Sequence, residues 1–495
     1  MNLSNQLWGI ITIILDASLF WFAYLTAKKE NYSLSISLIF LAGLILRLFA
    51  GMDYFLHPWD ETYHALVAKN LLNHMFVPTL FEHPVLNFDY KDWTANHIWV
   101  HKPPLSLWLI MLSLKLFGIN EIAVRLPSII LSSIGIFLTY YIAKQFYNEK
   151  VGLLASFFYA INGVLIELAT GRNPTDHPEI LFVFFIELGI FLSVYYLKHR
   201  SLLVIILIGL ATGCALLTKW LPGLIIIGVL FILLTYHESW KQAMIKCSVA
   251  LLVAAALALP WQIYIFSAFP REAAWESYFN YRHIIEPLEG HTGSLFFHFI
   301  LFPRIFGQLA PIALIMFFYT FYNKKYSIAT IALTFWFLLP YLFFTYVATK
   351  MQGYVMMSSP AIFIIIAWAF WLVKDNLKNS SYRIWKIIFL ILLIALPVRT
   401  LIERIKPFTK TDRSELWAVR LRELNLQIPQ SNAVVFNVQH NIEAMFYCNF
   451  TAYPFIPSND QILQSILKGY SVYIIDSPSI PAEIRNNNKI TFLKN

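Results

Sequence analysis

Long apolar runs divided by short polar connections dominate the chain, at approximately 6–27, 34–55, 126–143, 151–168, 179–197, 202–217, 221–236, 247–268, 308–322, 327–345, 355–373 and 384–400. A helix needs about 20 apolar residues to cross a hydrocarbon core about 30 Å thick. The pattern therefore predicts an all-α polytopic membrane domain of about twelve transmembrane helices. One further run, Pro103–Phe117, opens on a double proline and is only 15 residues long.

Lys and Arg collect in cytoplasmic loops, and this decides whether that run spans. If it does not, alternate connections carry Lys28 and Lys29, Lys144 and Lys150, Lys198 and Arg200, Lys241 and Lys246, Lys324 and Lys325, then Lys374, Lys378, Arg383 and Lys386. All then share one side. If it does, the first pair stands opposite the rest. Pro103–Phe117 is therefore expected to be re-entrant or interfacial, with both termini outside the cytoplasm. Met1 to Gln6 carries no positive side chain and no small-residue cleavage site follows, so the first run is expected to be retained as a span.

Three longer pieces then face outward: 56–125, 269–307 and the tail from about 402. In the tail, Arg413–Asn425 and Ile462–Leu467 have helical spacing, whereas Ala433–Val438 and Val472–Ile475 read as short β-branched strands. The expected organisation is a transmembrane domain over 1–401, with 56–125 its first outward loop, and a small soluble α/β domain over 402–495.

Composition agrees. The 495 residues are 58% hydrophobic and 13% charged, about half the charge of an ordinary soluble domain. The formal charge of +9 is spread between apolar runs and forms no stripe, which excludes a nucleic-acid partner. Cys214, Cys247 and Cys448 cannot form a disulfide framework.

Candidate chemistry lies on the outward face. The first loop opens with His57-Pro58-Trp59-Asp60-Glu61-Thr62-Tyr63-His64. Asp60 and Glu61 either start a helix, whose first turn favours acids, or act as bases where partial burial tunes them. Lys102, before Pro103 and Pro104, either snorkels or serves as a fixed cation for a phosphate. Asp176, before His177-Pro178-Glu179, either caps a helix or sets a second carboxylate level with Asp60. Arg282, His283, Lys350 and Tyr354 lie in later outward pieces. No P-loop, GxGxxG, HExxH or CxxC occurs. The histidines lack metal spacing; His101 with His283 is the candidate metal pair. No cofactor is required by these residues, and a divalent metal is not indicated.

As an ordered series these residues resemble the GT-C superfamily of integral membrane glycosyltransferases, in the bacterial branch of protein mannosyltransferases and lipid A aminoarabinose transferases. The series runs Arg47, Asp60-Glu61 with Tyr63 and His64, Lys102-Pro103-Pro104-Leu105 with Trp108, Leu116-Phe117-Gly118, Glu121, Arg125-Leu126-Pro127-Ser128, Asp176, Thr218-Lys219, and Lys350 to Tyr354 to Pro360. It covers roughly 34–373.

The resemblance implies transfer of a sugar from a polyprenyl-phosphate-linked donor to a lipid, protein or glycan acceptor of the envelope, with inversion at the anomeric carbon. It implies a bacterial inner-membrane protein with its site and C-terminus facing the periplasm. Asp60 maps onto the essential acid and Asp176 onto a second; Lys102 is expected to hold the phosphate, with Lys350, Arg282 and Tyr354 assisting. Three departures stand out: the extra span 6–27, His101 where aminoarabinose transferases carry Glu, and a long insert, Phe81–Trp99, which either packs on the membrane surface or binds acceptor. The main rival is a transporter of lipid-linked saccharides. That function would place ionisable residues near the bilayer midplane, whereas the residues above cluster at one face.

Overall fold

The computed structural model describes residues 5–174, 177–324, 326–377, 382–428 and 430–493, so Asp176, Lys325 and Lys378 lie outside the described residues. The chain is mostly helical. By length and composition nine described helices could cross a membrane, or up to eleven if each of two bent pairs is one span. In hydrocarbon every backbone polar group must be satisfied internally, which a helix achieves along its length. Starts are marked by short polar side chains. Asn31, Asn120, Asn148 and Asn162 accept from the backbone N–H of Leu34, Ala123, Val151 and Leu165.

One predicted span, 151–168, is broken, and the predicted span 308–322 follows a second sharp bend after a helix in the expected outward piece. Glu149–Ile161 and Gly163–Ala169 meet at 55° around Asn162, whose amide also donates to Ile305 O at 2.8 Å. Phe297–Phe306 and Ala310–Tyr322 meet at 109°, at Gly307 with φ 100°, where the chain turns into a backbone region that glycine alone adopts cheaply. The run at 221–236 is a 3-10 turn, Leu221–Leu224, leading into the 13-residue helix Ile225–His237. Pro104–Phe117 is a helix of 14 residues, about 21 Å long, too short to cross a 30 Å core by itself.

Ionisable side chains also lie within span helices, against the expectation that they keep to one face. Arg47 is fully buried and donates to Ser132 Oγ at 2.8 Å and to Gly43 O at 2.9 Å. Glu187 is fully buried and accepts from Thr139. Asp16 is 3% exposed in the first helix.

The tail holds a four-stranded sheet in the order β2-β1-β3-β4, from β1 (Ala433–Phe436), β2 (Thr451–Ala452), β3 (Ser471–Ile475) and β4 (Ile490–Leu493). Every pairing is parallel. Parallel neighbours need crossover connections, supplied by Asn441–Tyr447, Asn459–Leu467 and Ala482–Arg485. Two of these strands and two of these helices escape the sequence pattern because they span only two to seven residues. The sheet does not stand apart: Leu56, Leu66, Trp99 and Leu114 of the first loop share one hydrophobic core with Val434, Phe436 and Phe446. The insert Phe81–Trp99 packs there as well, Val85 and Leu86 N–H donating to Tyr453 Oη at 3.2 and 3.1 Å.

Candidate functional site

Asp60 is the first residue of the helix Asp60–Asn70. Lys102 precedes Pro103 and Pro104, and Pro104 starts the helix Pro104–Phe117. The ring of a proline fixes φ, so the lysine leaves a stiff corner. Lys102 Nζ lies 3.9 Å from Asp60 Oδ2, with the side chains 30% and 18% exposed. That is a loose pair, worth little on its own, with both groups available to a ligand.

Both line a cavity of about 450 Å³. A second lysine enters from Lys219, the last residue of the helix Leu202–Lys219. It pairs with Glu179 in the first turn of His177–Tyr196, and its ammonium sits 4.5 Å from the centroid of the Tyr354 ring. Phe343, Phe344, Val347, Leu221 and Ile284 give the same cavity an apolar wall.

Two tryptophans turn the chain beside these charges. Trp59 (φ 72°, ψ −133°) precedes Asp60, and Trp220 (φ 69°, ψ −154°) follows Lys219. Such a conformation costs a non-glycine residue about 1–3 kcal/mol and collects at functional sites.

His101, Trp93 and Glu289 line another part of the cavity. His101 Nδ1 is 2.9 Å from Glu276 Oε1, and its ring stacks on Trp93 at 4.6 Å and 3°. Trp93 Nε1 donates to Glu289 Oε1 at 2.6 Å. Burial pushes Glu276 up to about 8. Burial, with Lys102 next to it, holds His101 well below the usual histidine range. Both shifts favour the uncharged forms of this buried pair. His283 also lines the cavity, with Nδ1 donating to Phe279 O at 2.9 Å. Among the described residues no group of three His, Cys, Asp or Glu side chains could hold a metal ion.

Behind the cavity lies a buried ion cluster. Glu61 is not among the lining residues; it is 1% exposed. It accepts from Arg125 Nε and Nη2 at 2.7 and 3.0 Å, and from His57 N–H at 2.6 Å. Burial would raise its pKa, but Arg125 and His57 outweigh that and hold the carboxyl well below the usual range. Asp53 accepts from Arg172 at 2.7 Å and from Arg413 at 3.0 Å, and lies 3.1 Å from His57 Nε2. Its carboxyl is likewise lowered, burial being outweighed by His57, Arg172 and Arg125.

Of the residues singled out in sequence, Asp60, Lys102, Tyr354, His101 and His283 meet in the cavity. Glu61 sits behind it, and Asp176 is outside the described residues. Lys350 does not line the cavity. Its ammonium donates to Phe344 O and Thr345 O at 3.0 and 2.7 Å, closing the end of the helix Ile328–Tyr346. Arg282 also lies off the cavity, paired with Glu286 at 2.8 Å. Lys219 and Glu179 carried a signal: each ends or begins an apolar run on the outward side, as Lys102 and Asp60 do.

Residues 101–264 match the family model described as dolichyl-phosphate-mannose-protein mannosyltransferase. A protein of Aquifex aeolicus is 27% identical over 336 residues, 68% of this chain and 62% of the relative. The undecaprenyl phosphate-alpha-4-amino-4-deoxy-L-arabinose arabinosyl transferase of Pseudomonas aeruginosa is 25% identical over 282 residues, 54% of this chain and 49% of the relative. The chain thus spans about half to three-fifths of the length of these curated relatives. In fold it is similar to ArnT from Cupriavidus metallidurans bound to undecaprenyl phosphate, with TM-score 0.59, 14% identity and coverage of 89% and 88%. It is also similar to the archaeal oligosaccharyltransferase AglB from Archaeoglobus fulgidus in complex with a dolichol-phosphate, with TM-score 0.60, 14% identity and coverage of 84% and 64%. The chain is thus similar in fold to these two solved membrane proteins, and similar in sequence to the arabinosyl transferase over roughly half of its length, while the family model matches the stretch that begins at the Lys102-Pro103-Pro104 corner.

Proposed function

We propose that this protein transfers a sugar from a polyprenyl-phosphate-linked donor to a lipid, protein or glycan acceptor at the outer face of the bacterial inner membrane. The observation that carries the proposal is the meeting of Asp60 and Lys102, 3.9 Å apart, in a cavity with one apolar wall. An acid beside a cation, next to lipid-facing residues, suits a substrate that is part sugar phosphate and part hydrocarbon. The solved relatives of this fold hold undecaprenyl phosphate or dolichol-phosphate, which supports the same substrate class.

In this mechanism the polyprenyl chain lies along the apolar wall and Lys102, with Lys219 behind it, faces the phosphate. The acceptor hydroxyl attacks the anomeric carbon from the side opposite the phosphate. The new bond joins acceptor oxygen to that carbon, the carbon–phosphate oxygen bond breaks, and the electron pair leaves on polyprenyl phosphate. Asp60 takes the hydroxyl proton, as a positioned base does. The lysines stabilise charge that grows on the leaving phosphate, a contribution realised mainly in the transition state.

The test is Asp60→Asn in the full-length protein reconstituted in lipid. Transfer from undecaprenyl-phosphate-linked sugars is expected to disappear while expression and undecaprenyl phosphate binding persist. Transfer at the wild-type rate in that variant removes Asp60 from the mechanism.

A further inference from the structure

The stretch between the second helix, Tyr32–Ala50, and Asp60 is neither helix nor strand, so its backbone groups need partners from elsewhere. Several come from the far end of the sequence. Tyr54 N–H donates to Arg413 O at 2.7 Å and Tyr54 O accepts from Arg422 at 2.8 Å. Leu56 N–H donates to Tyr447 Oη at 3.2 Å. Arg413 also donates to Asp53 Oδ1 and to Phe49 O, at 3.0 and 2.9 Å. From Asp53 the side-chain contacts continue to His57 and then to Glu61, at 3.1 and 2.7 Å. The series ends one residue from Asp60.

Arg413 lies between the last span helix, Arg383–Ile405, and the helix Leu416–Gln427 of the tail. Desolvation makes buried ion clusters poor stabilisers against apolar packing, and their best-attested use is to fix register. Apolar packing alone already joins the tail to the first loop. We infer that Arg413 and Asp53 are positioning residues, through which docking of the tail sets where Asp60 stands in the cavity. The tail is then a working part of the site and not an appendage. This rests on the transferase reading for its activity readout alone.

The experiment uses the full chain in lipid nanodiscs, as wild type, Arg413→Ala, Arg413→Lys and Tyr447→Phe. Amide hydrogen exchange, affinity for undecaprenyl phosphate and turnover of undecaprenyl-phosphate-linked pentoses and hexoses are measured together. In Arg413→Ala, amides from Asp53 to Thr62 are expected to exchange at least about tenfold faster while strands β1 to β4 exchange as in wild type. Affinity for undecaprenyl phosphate stays within about twofold, and kcat falls about 10²-fold, as a small misplacement of a reacting group does. Arg413→Lys recovers part of both losses.

Wild-type exchange over Asp53 to Thr62 in Arg413→Ala overturns the inference. So does acceleration spread evenly over the sheet, which marks a general structural role. If Arg413→Ala does not accumulate, Tyr447→Phe removes a single hydroxyl and is read by the same exchange criterion. If wild type turns over none of the sugars, the transferase reading falls, and exchange alone decides whether the tail positions this segment.

Discussion

Arg125 donates to both carboxylate oxygens of Glu61, at 2.7 and 3.0 Å, and neither side chain reaches solvent. The remaining guanidinium hydrogens go to Gly51 O, Asp53 O and Phe55 O, at 2.9, 2.6 and 2.6 Å. One arginine therefore holds the whole approach to Asp60. Removing one partner of such a pair leaves a buried charge uncompensated, which costs about 3–5 kcal/mol. Arg125→Met and Glu61→Gln are both expected to lower the unfolding temperature sharply. A variant of either kind that melts with wild type refutes the reading of Glu61 as an anchor.

The same carboxyl gives a pH signature. Its folded pKa is held below the ordinary value by Arg125 and His57, against burial. Its contribution to stability is thus fully present above the unfolded carboxylate range and is lost as pH falls through the lower folded value. Thermal unfolding followed downward from pH 5 should show a loss that Glu61→Gln lacks. An identical acid limb in both proteins counts against it.

Glu276 behaves in the opposite sense. Burial raises its pKa to about 8, so its stabilisation is complete below the unfolded value near 4.5 and is lost as pH rises through the folded one. Glu276→Gln mimics the protonated acid beside His101. It is expected to flatten the fall in melting temperature between those two limits, which a pH series of unfolding curves measures. A slope equal to wild type would show that the carboxyl is already ionised.

Much of this was legible in the sequence, and the reason lies in period and length. Helices such as Glu121–Phe146 and Leu202–Lys219 announce themselves by long apolar runs. Placing Asp60 and Lys102 on one face needed only the alternation of basic loops. What pattern could not give was three-dimensional register. Lys350 and Lys219 both sit near the outward ends of apolar runs. Only the path of the chain shows that one ammonium closes a helix end while the other enters the cavity. The pairing of Asp53 with Arg413 joins residues from opposite ends of the chain, and no local period encodes it.

That contrast between the lysines is itself testable. Lys350 donates to two carbonyls and does not line the cavity. Lys350→Met should therefore cost about 1–3 kcal/mol of stability through unsatisfied buried carbonyls, and leave the KM for donor unchanged. Steady-state kinetics alongside a melting curve separate the two effects. A raised donor KM with unchanged melting would return Lys350 to the phosphate site.

Lys219 should behave the other way. Its ammonium lies between Glu179 and the Tyr354 ring, in the same cavity as Lys102 and Asp60. A donor phosphate entering there meets two cations, and a hydrogen bond to a charged group is worth about 1.5–3 kcal/mol. Lys219→Met is expected to raise the donor KM, or the Kd for undecaprenyl phosphate, about 10- to 100-fold. It also leaves Glu179 without its cation, so Lys219→Met combined with Glu179→Gln separates the two causes. If the double variant regains wild-type donor affinity, the loss came from the stranded carboxylate and Lys219 does not touch the phosphate. If the deficit persists, the second lysine belongs to the donor site.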